Sequence, residues 1–193
     1  MKLLLQGVLC IAAGWMSIAG AAEIVITRVD RVQDRYHVEF EVLIEGTVDR
    51  VRNIVADHAR LQELSRSVVS SRLVTGQSGP DARIELVLRP CVLIVFCKTI
   101  TKVSDVHIEP DASRIRYNAV PGLGDFHEAR ETITLVPAPP DGAPRVRFTY
   151  SAVLNPAFYV PPLAGTWLIR RAIIRDLEET SLRVERIVRQ DRR

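Results

Sequence analysis

The stretch from residue 163 to about residue 190 contains no proline and a single glycine, Gly165, near its start. Within it Leu163, Trp167, Ile174, Leu177, Val184 and Val188 recur at three-, four- or seven-residue steps. That spacing makes one apolar stripe on one long helix. Arg170, Arg171, Arg175, Arg183, Arg186 and Arg189 fall largely off the stripe and read as its solvated side. Pro156, Pro161 and Pro162 set the helix apart from everything before it.

The preceding residues alternate with a period of two. Tyr36, Val38, Phe40, Val42 and Ile44 interleave with His37, Glu39 and Glu41, the pattern of a strand with one wet face. Residues 24–31 pair with this strand as a hairpin across Gln33-Asp34-Arg35. Gly46-Thr47 then breaks the alternation. Thr47 is placed to cap a short helix carrying Val48, Val51, Ile54 and Val55, and Asp57 to cap a second over 58–64. Strands are expected over 68–74, 83–89, 99–108, 114–119, 127–136 and 145–154, with turns at 76–80, 110–113, 121–124 and 137–144. A length of 193 residues suits one domain. The expected class is α+β: a curved antiparallel β-sheet wrapped around a long C-terminal α-helix, with two short helices after the first strands.

Residues 1–22 are expected to stand outside that domain, which then covers 23–193. Lys2, the apolar run 3–18 and the cluster Ala19-Gly20-Ala21-Ala22 have the layout of a cleaved secretory signal peptide. Cleavage after Ala21 or Ala22 would deliver a periplasmic or secreted protein; an uncleaved anchor is the alternative. Loss of the leader removes Cys10 and leaves Cys91 and Cys97, an even pair suited to a disulfide in an oxidising compartment. Six residues of straight strand would hold their Cα atoms roughly 20 Å apart, against a limit near 7 Å for a bridge. A disulfide therefore demands a turn inside this segment; two free thiols on one continuous strand are the other reading. Val92, Leu93, Ile94, Val95 and Phe96 form an unbroken apolar tip, a candidate for transient membrane contact or for a lid on the protein's own core.

The order of elements resembles the START-like, or helix-grip, superfamily, which includes polyketide cyclases, coenzyme Q-binding proteins and the birch-pollen allergen fold, and most of all its exported bacterial branch. The resemblance rests on 36–64 with Asp57-His58-Ala59-Arg60-Leu61, on Gly124-Asp125-Phe126, on Phe148-Thr149-Tyr150, and on Asn155-Pro156-Ala157-Phe158-Tyr159-Val160-Pro161-Pro162. It implies a cavity between sheet and C-terminal helix that accepts a lipid, quinone or aromatic molecule. The candidate lining is Phe40, Leu86, Tyr117, Phe126, Phe148, Tyr150 and Trp167, for each of which plain core packing is the competing explanation. Tyr117 and Tyr150 stand out because a buried phenol needs a polar partner.

Catalytic signals are sparse. His37, His58, His107 and His127 show no metal-ligand spacing, Ser151 and Ser181 lack an elbow motif, and no phosphate-cradling glycine loop occurs. The densest titratable cluster, His127-Glu128 with Arg130-Glu131, suits either an acid–base pair or solvent-facing charges on a strand. Lys and Arg number 26 against 23 Asp and Glu, interleaved and without an aromatic-studded basic motif, which argues against nucleic acid. The functional expectation is an exported binding or carrier protein for a hydrophobic small molecule, without cofactor or metal; the alternative is a polyketide-cyclase-like enzyme using the same cavity.

Overall fold

The computed structural model describes residues 22–74, 81–92, 96–109, 111, 113–139, 143–161 and 164–190, with the backbone alone at Val92 and Phe96. Strands β1 (Glu23–Val32) and β2 (Arg35–Glu45) form the expected hairpin, Gln33 taking φ 57° to turn the chain. Every even-numbered residue of β2 from Tyr36 to Ile44 is buried, and no odd-numbered one is. Helix α1 (Val48–Val55), a 3₁₀ turn (His58–Arg60) and helix α2 (Leu61–Leu64) follow. Thr47 and Asp57 occupy the two N-cap positions, yet neither side chain makes a capping bond. Burial of Val51, Val55 and Leu64 holds these short helices instead, as expected for elements too short to be stable alone.

Strands β3 (Val68–Leu73), β4 (Asp81–Leu88), β5 (Cys91–Val92), β6 (Phe96–Cys97), β7 (Ile100–Ile108), β8 (Arg114–Gly124), β9 (Phe126–Pro137) and β10 (Arg145–Pro156) precede helix α3 (Ala164–Gln190). Eight of the ten strands build one antiparallel sheet in the order β1-β2-β10-β9-β8-β7-β4-β3, and β5 and β6 pair separately. Register shifts at Ile24/Ile26, Val68/Ser70, Lys102/Ser104 and Asn155/Pro156 mark irregularities of the kind that bend and twist strands. The expected turn at 121–124 is instead the last part of β8, and the corner falls at Asp125. There the Asp125 N–H donates to the Thr101 carbonyl at 2.8 Å, and its carboxylate accepts the Thr101 N–H at 2.7 Å. Gly124 has φ +116°, and a Cβ there would lie 2.5 Å from the Thr101 carbonyl oxygen. Only glycine combines that conformation with that approach.

Residues directly opposite in antiparallel strands share a face, so the register defines the inner surface. Phe40 lies opposite Tyr150, Tyr150 opposite Ile133, Glu131 opposite Tyr117, Tyr117 opposite Val106, and Lys102 opposite Leu86. Helix α3 packs over this face. Val184 and Val188 are fully buried in the main core with Val42, Ile44 and Val146, and Ile169, Ile173 and Ile174 pack on a smaller group around Val29, Tyr36 and Val38.

Trp167 departs from the sequence expectation. It is 49% exposed rather than among the most buried side chains, with the Arg171 guanidinium 5.4 Å from its ring. A straight helix places Trp167 roughly 80° around the axis from Leu177. The stripe that meets the sheet runs through Ile169, Ile173 and Leu177, and Trp167 lies roughly 160° and 120° around the axis from the first two, facing away from the sheet. Leu163, also assigned to the stripe, and the proposed leader 1–21 lie outside the described residues. Cys91 and Cys97 are disulfide-bonded with Cα atoms 4.1 Å apart, facing each other across the β5–β6 pair. The chain therefore turns back between them, as the bridge requires.

Candidate functional site

A cavity of about 310 Å³ opens between the inner sheet face and α3. Its walls come from nearly every element: Tyr36 on β2, Leu61 and Leu64 on α2, Leu86 and Leu88 on β4, Ile100 and Lys102 on β7, Tyr117 on β8. Phe126, Glu131 and Ile133 of β9, with Phe148, Tyr150 and Leu154 of β10, continue the surface, and Ile169, Ala172, Ile173, Asp176, Leu177 and Thr180 of α3 close it. Of the residues singled out from sequence, Leu86, Tyr117, Phe126, Phe148 and Tyr150 line this space. Phe40 does not: it is 1% exposed and packed within the main core. Trp167 does not either, being turned outward on α3.

Polar groups interrupt the apolar lining at chosen points. Lys102 and Glu131 form an ion pair inside the cavity wall, their side chains only 7% and 10% exposed. The Tyr150 phenol faces the same cavity wall and feels the Glu131 charge. Burial, reinforced by the Glu131 charge, pushes the Tyr150 hydroxyl well above the usual phenol range, and Tyr117 is pushed up for the same two reasons. Both phenols therefore stay protonated at any physiological pH. Tyr117 Oη lies 3.3 Å from His58 Nε2, the rings meeting edge to face. Burial lowers the His58 pKa, and the nearby Asp57 charge only partly opposes that, so the imidazole that meets Tyr117 is neutral near pH 7. On the helix side Ser65 Oγ donates to Asp176 at 2.6 Å. The Tyr36 hydroxyl, also buried in the wall, has no hydrogen-bond partner among the described residues. A buried unsatisfied hydroxyl is uncommon, and here it leaves the wall of the cavity with a free hydrogen-bonding group.

The arrangement is an apolar chamber whose free hydrogen-bonding capacity is specific. Lys102 has three N–H donors, of which Glu131 accepts one. The remaining donors, with Tyr36 and Tyr117, suit an oxygen-bearing group on an otherwise apolar molecule. Among the described residues no group of His, Cys, Asp and Glu is arranged to hold a metal ion. No helix among them is long and apolar enough to cross a membrane.

Residues 35–187 match the family described as polyketide cyclase / dehydrase and lipid transport, a span that takes in every wall of the cavity. The chain belongs to that family. No curated protein sequence matches it. Among solved structures it resembles the Zhui aromatase/cyclase from Streptomyces sp. R1128 (TM-score 0.67, 12% identity, 82% of this chain and 96% of that one). It also resembles a START superfamily protein from Mycobacterium smegmatis (TM-score 0.62, 15% identity, 80% and 97%). A third is the STAR-related lipid transfer protein from Xanthomonas axonopodis (TM-score 0.61, 19% identity, 89% and 100%). The fold is thus the helix-grip fold of the START-like superfamily, which serves both a cyclase and a lipid-transfer protein.

Lys102, Glu131, Asp176 and Tyr36 line the cavity without having been singled out from the sequence, and His58 meets the lining residue Tyr117 from behind. In the sequence Glu131 stands beside His127, Glu128 and Arg130, a cluster that suits either an acid–base pair or solvent-facing charges. His127 is exposed, and Glu128 is held by Arg35 at 2.9 Å and by Arg130, so those residues are surface charges and form no acid–base pair in the cavity. Glu131 instead shares the inward phase of Ala129, Ile133 and Leu135, as Lys102 shares that of Ile100 and Val106. That misplacement of charge in an apolar phase was the available signal.

Proposed function

We propose that this chain is an exported binding or carrier protein that holds a hydrophobic small molecule (a lipid, quinone or aromatic compound) between its sheet and α3. The observation that carries the reading is the apolar cavity of about 310 Å³ with the Lys102–Glu131 pair and the Tyr117 and Tyr150 phenols set into its wall. That volume sits at the lower end of small-molecule sites, which span roughly 300–1,000 Å³. The ligand's apolar body lies against Leu86, Phe126, Ile133, Phe148 and Ile173, and a carbonyl or hydroxyl oxygen at one end takes up the Lys102 donors. Membership of a family described by lipid transport supports this reading. So does the disulfide, which suits an oxidising compartment.

Pro90, immediately before Cys91, lines the cavity. Entry and exit beside this clasp would give Val92, Leu93, Ile94, Val95 and Phe96 the role of a reversible membrane contact. Loading is tested by transfer of a fluorescent lipid between vesicles. A Leu86→Trp variant, which fills the chamber, is expected to abolish uptake while the folded spectrum is kept. Leu93→Asp with Ile94→Asp is expected to slow transfer without abolishing binding. Undiminished transfer by Leu86→Trp would overturn the cavity assignment.

The second reading, a cyclase-like enzyme, is favoured by one observation: Tyr117, Glu131, Lys102 and Tyr150 line the same chamber and His58 backs Tyr117, enough groups for proton transfer to a polyketone. Turnover of an aromatic polyketide-like substrate that is lost in both His58→Ala and Tyr117→Phe would establish it.

A further inference from the structure

The arginine-rich side of α3 meets the cavity at one place. Between α3 and β5 a surface recess shares Pro90, Ala172 and Asp176 with the cavity wall, and Arg66, Arg89 and Arg175 stand around it. Trp167, Arg171 and Arg175 follow one another at four-residue steps on α3. Each lies about 40° further around the axis, so the three form one ridge that ends at the recess. Lys98 joins the group from the far side of the disulfide. Its N–H donates to the Pro90 carbonyl at 3.2 Å, and its ammonium stands 4.5 Å from the centre of the Phe158 ring, itself a cavity wall. Tyr159, the next residue, is 82% exposed.

Carboxylates do not occupy these cations. Arg89, Lys98 and Arg171 are exposed and make no ion pair among the described residues. Arg66 at 3.5 Å and Arg175 at 2.9 Å share the one carboxylate of Glu179, and Asp176 is held by Ser65 Oγ at 2.6 Å. Outside the described residues the only acids are Asp141, which precedes Arg145 at the start of β10, and Asp191, which follows the last turn of α3. Both adjoin the opposite end of their element from the recess. Free guanidinium and ammonium groups suit phosphate oxygens, and the neighbouring side chains decide which phosphates. Exposed Trp and Tyr are the side chains that settle at a membrane–water interface, and the recess adjoins the chamber of an apolar ligand. We infer that this face docks on a membrane surface rich in anionic phospholipid, with Arg89, Lys98, Arg171 and their neighbours on the headgroup phosphates. This rests on the carrier reading above. Docking holds the recess against the bilayer, so the ligand passes between chamber and membrane without crossing water.

The test compares protein from an exporting cell with its Arg89→Gln, Lys98→Gln, Arg171→Gln triple variant. Vesicles are phosphatidylcholine alone or phosphatidylcholine mixed with phosphatidylglycerol, and binding is read by flotation. Each Lys or Arg at an anionic surface is worth about fivefold in affinity, so the triple variant should bind the mixed vesicles roughly 100-fold more weakly than the parent. Neither protein should bind phosphatidylcholine alone comparably. The three substitutions break no ion pair, so the melting temperature should hold. Parent binding should also collapse as salt approaches about 1 M, where charges are screened beyond roughly 3 Å; this arm decides the matter even if the variant fails to fold. Uptake of diphenylhexatriene in solution reads the chamber separately and should be equal in the two proteins. A parent that takes up the probe but ignores the mixed vesicles, or binds them regardless of salt, would overturn the docking alone. So would a folded triple variant that binds them like the parent. Polyglutamate bound as tightly as the vesicles would overturn the choice of a lipid surface in favour of an acidic polymer. No probe uptake by the parent would instead overturn the carrier reading beneath it.

Discussion

Replacement of Lys102 by Met separates what the buried ion pair does for stability from what it does for binding. The side chains of Lys102 and Glu131 are 7% and 10% exposed, so removal of the ammonium strands a buried carboxylate without its cation. Breaking one half of such a pair costs about 3–5 kcal/mol. At about 2–4 °C per kcal/mol for a domain of this size, Lys102→Met should melt roughly 6–20 °C below the parent. Replacing both members by apolar residues removes both desolvation penalties, so Lys102→Met with Glu131→Leu should recover to within about 2 kcal/mol of the parent. Binding should not recover with it. The double variant should keep its affinity for the hydrocarbon probe diphenylhexatriene and lose about tenfold for Nile red, whose carbonyl needs a donor. Thermal melts and fluorescence titrations of the four proteins close the cycle. A single variant as stable as the parent would refute the burial argument. A double variant that binds both probes like the parent would refute the role of the pair in recognition.

Other perturbations report on neighbouring features. His58 has a folded pKa lowered chiefly by burial, so the unfolded chain binds more protons below about pH 6.5. Stability should therefore fall as pH drops through that value, and His58→Phe should flatten this part of a melting-temperature profile. Gly124→Ala puts a Cβ 2.5 Å from the Thr101 carbonyl at φ +116°, and chemical denaturation should show a loss of more than about 2 kcal/mol. Trp167→Ala, at a side chain 49% exposed, should cost well under the roughly 3–5 kcal/mol of a core tryptophan in the same assay. Cys91→Ser with Cys97→Ser opens a short loop and should lose roughly 2 kcal/mol, with no further loss on addition of reductant.

The strand assignments were legible because each inner face is an uninterrupted period-two series. Tyr36 to Ile44 and Val146 to Ala152 encode their own register through burial. Geometry alone shows that a Cys91–Cys97 bridge needs a turn, since no straight strand can bring the two together; that the bridge exists comes from the structure. The cavity lining was legible only in part. Leu86, Tyr117, Phe126, Phe148 and Tyr150 share the inner face with Phe40, but whether a residue meets a void or another side chain depends on where α3 lies. That placement follows from packing across the whole domain. Trp167 shows the same limit, since periodicity finds a stripe but leaves its edges uncertain by about one residue's rotation. Glu131 and Lys102 were hidden for another reason. Glu131 among charged neighbours looks like part of a wet face, and Lys102 like a lone surface charge, until the opposite strands show which side each is on.

The central claim is that the chamber under α3 holds a hydrophobic molecule. Native mass spectrometry of protein purified without detergent from an exporting cell, followed by organic extraction, tests it most directly. The account predicts one bound apolar compound per chain, carrying a carbonyl or hydroxyl oxygen, and its absence from the Leu86→Trp variant. A bare-chain mass, together with no uptake of lipid offered in excess, would contradict the account.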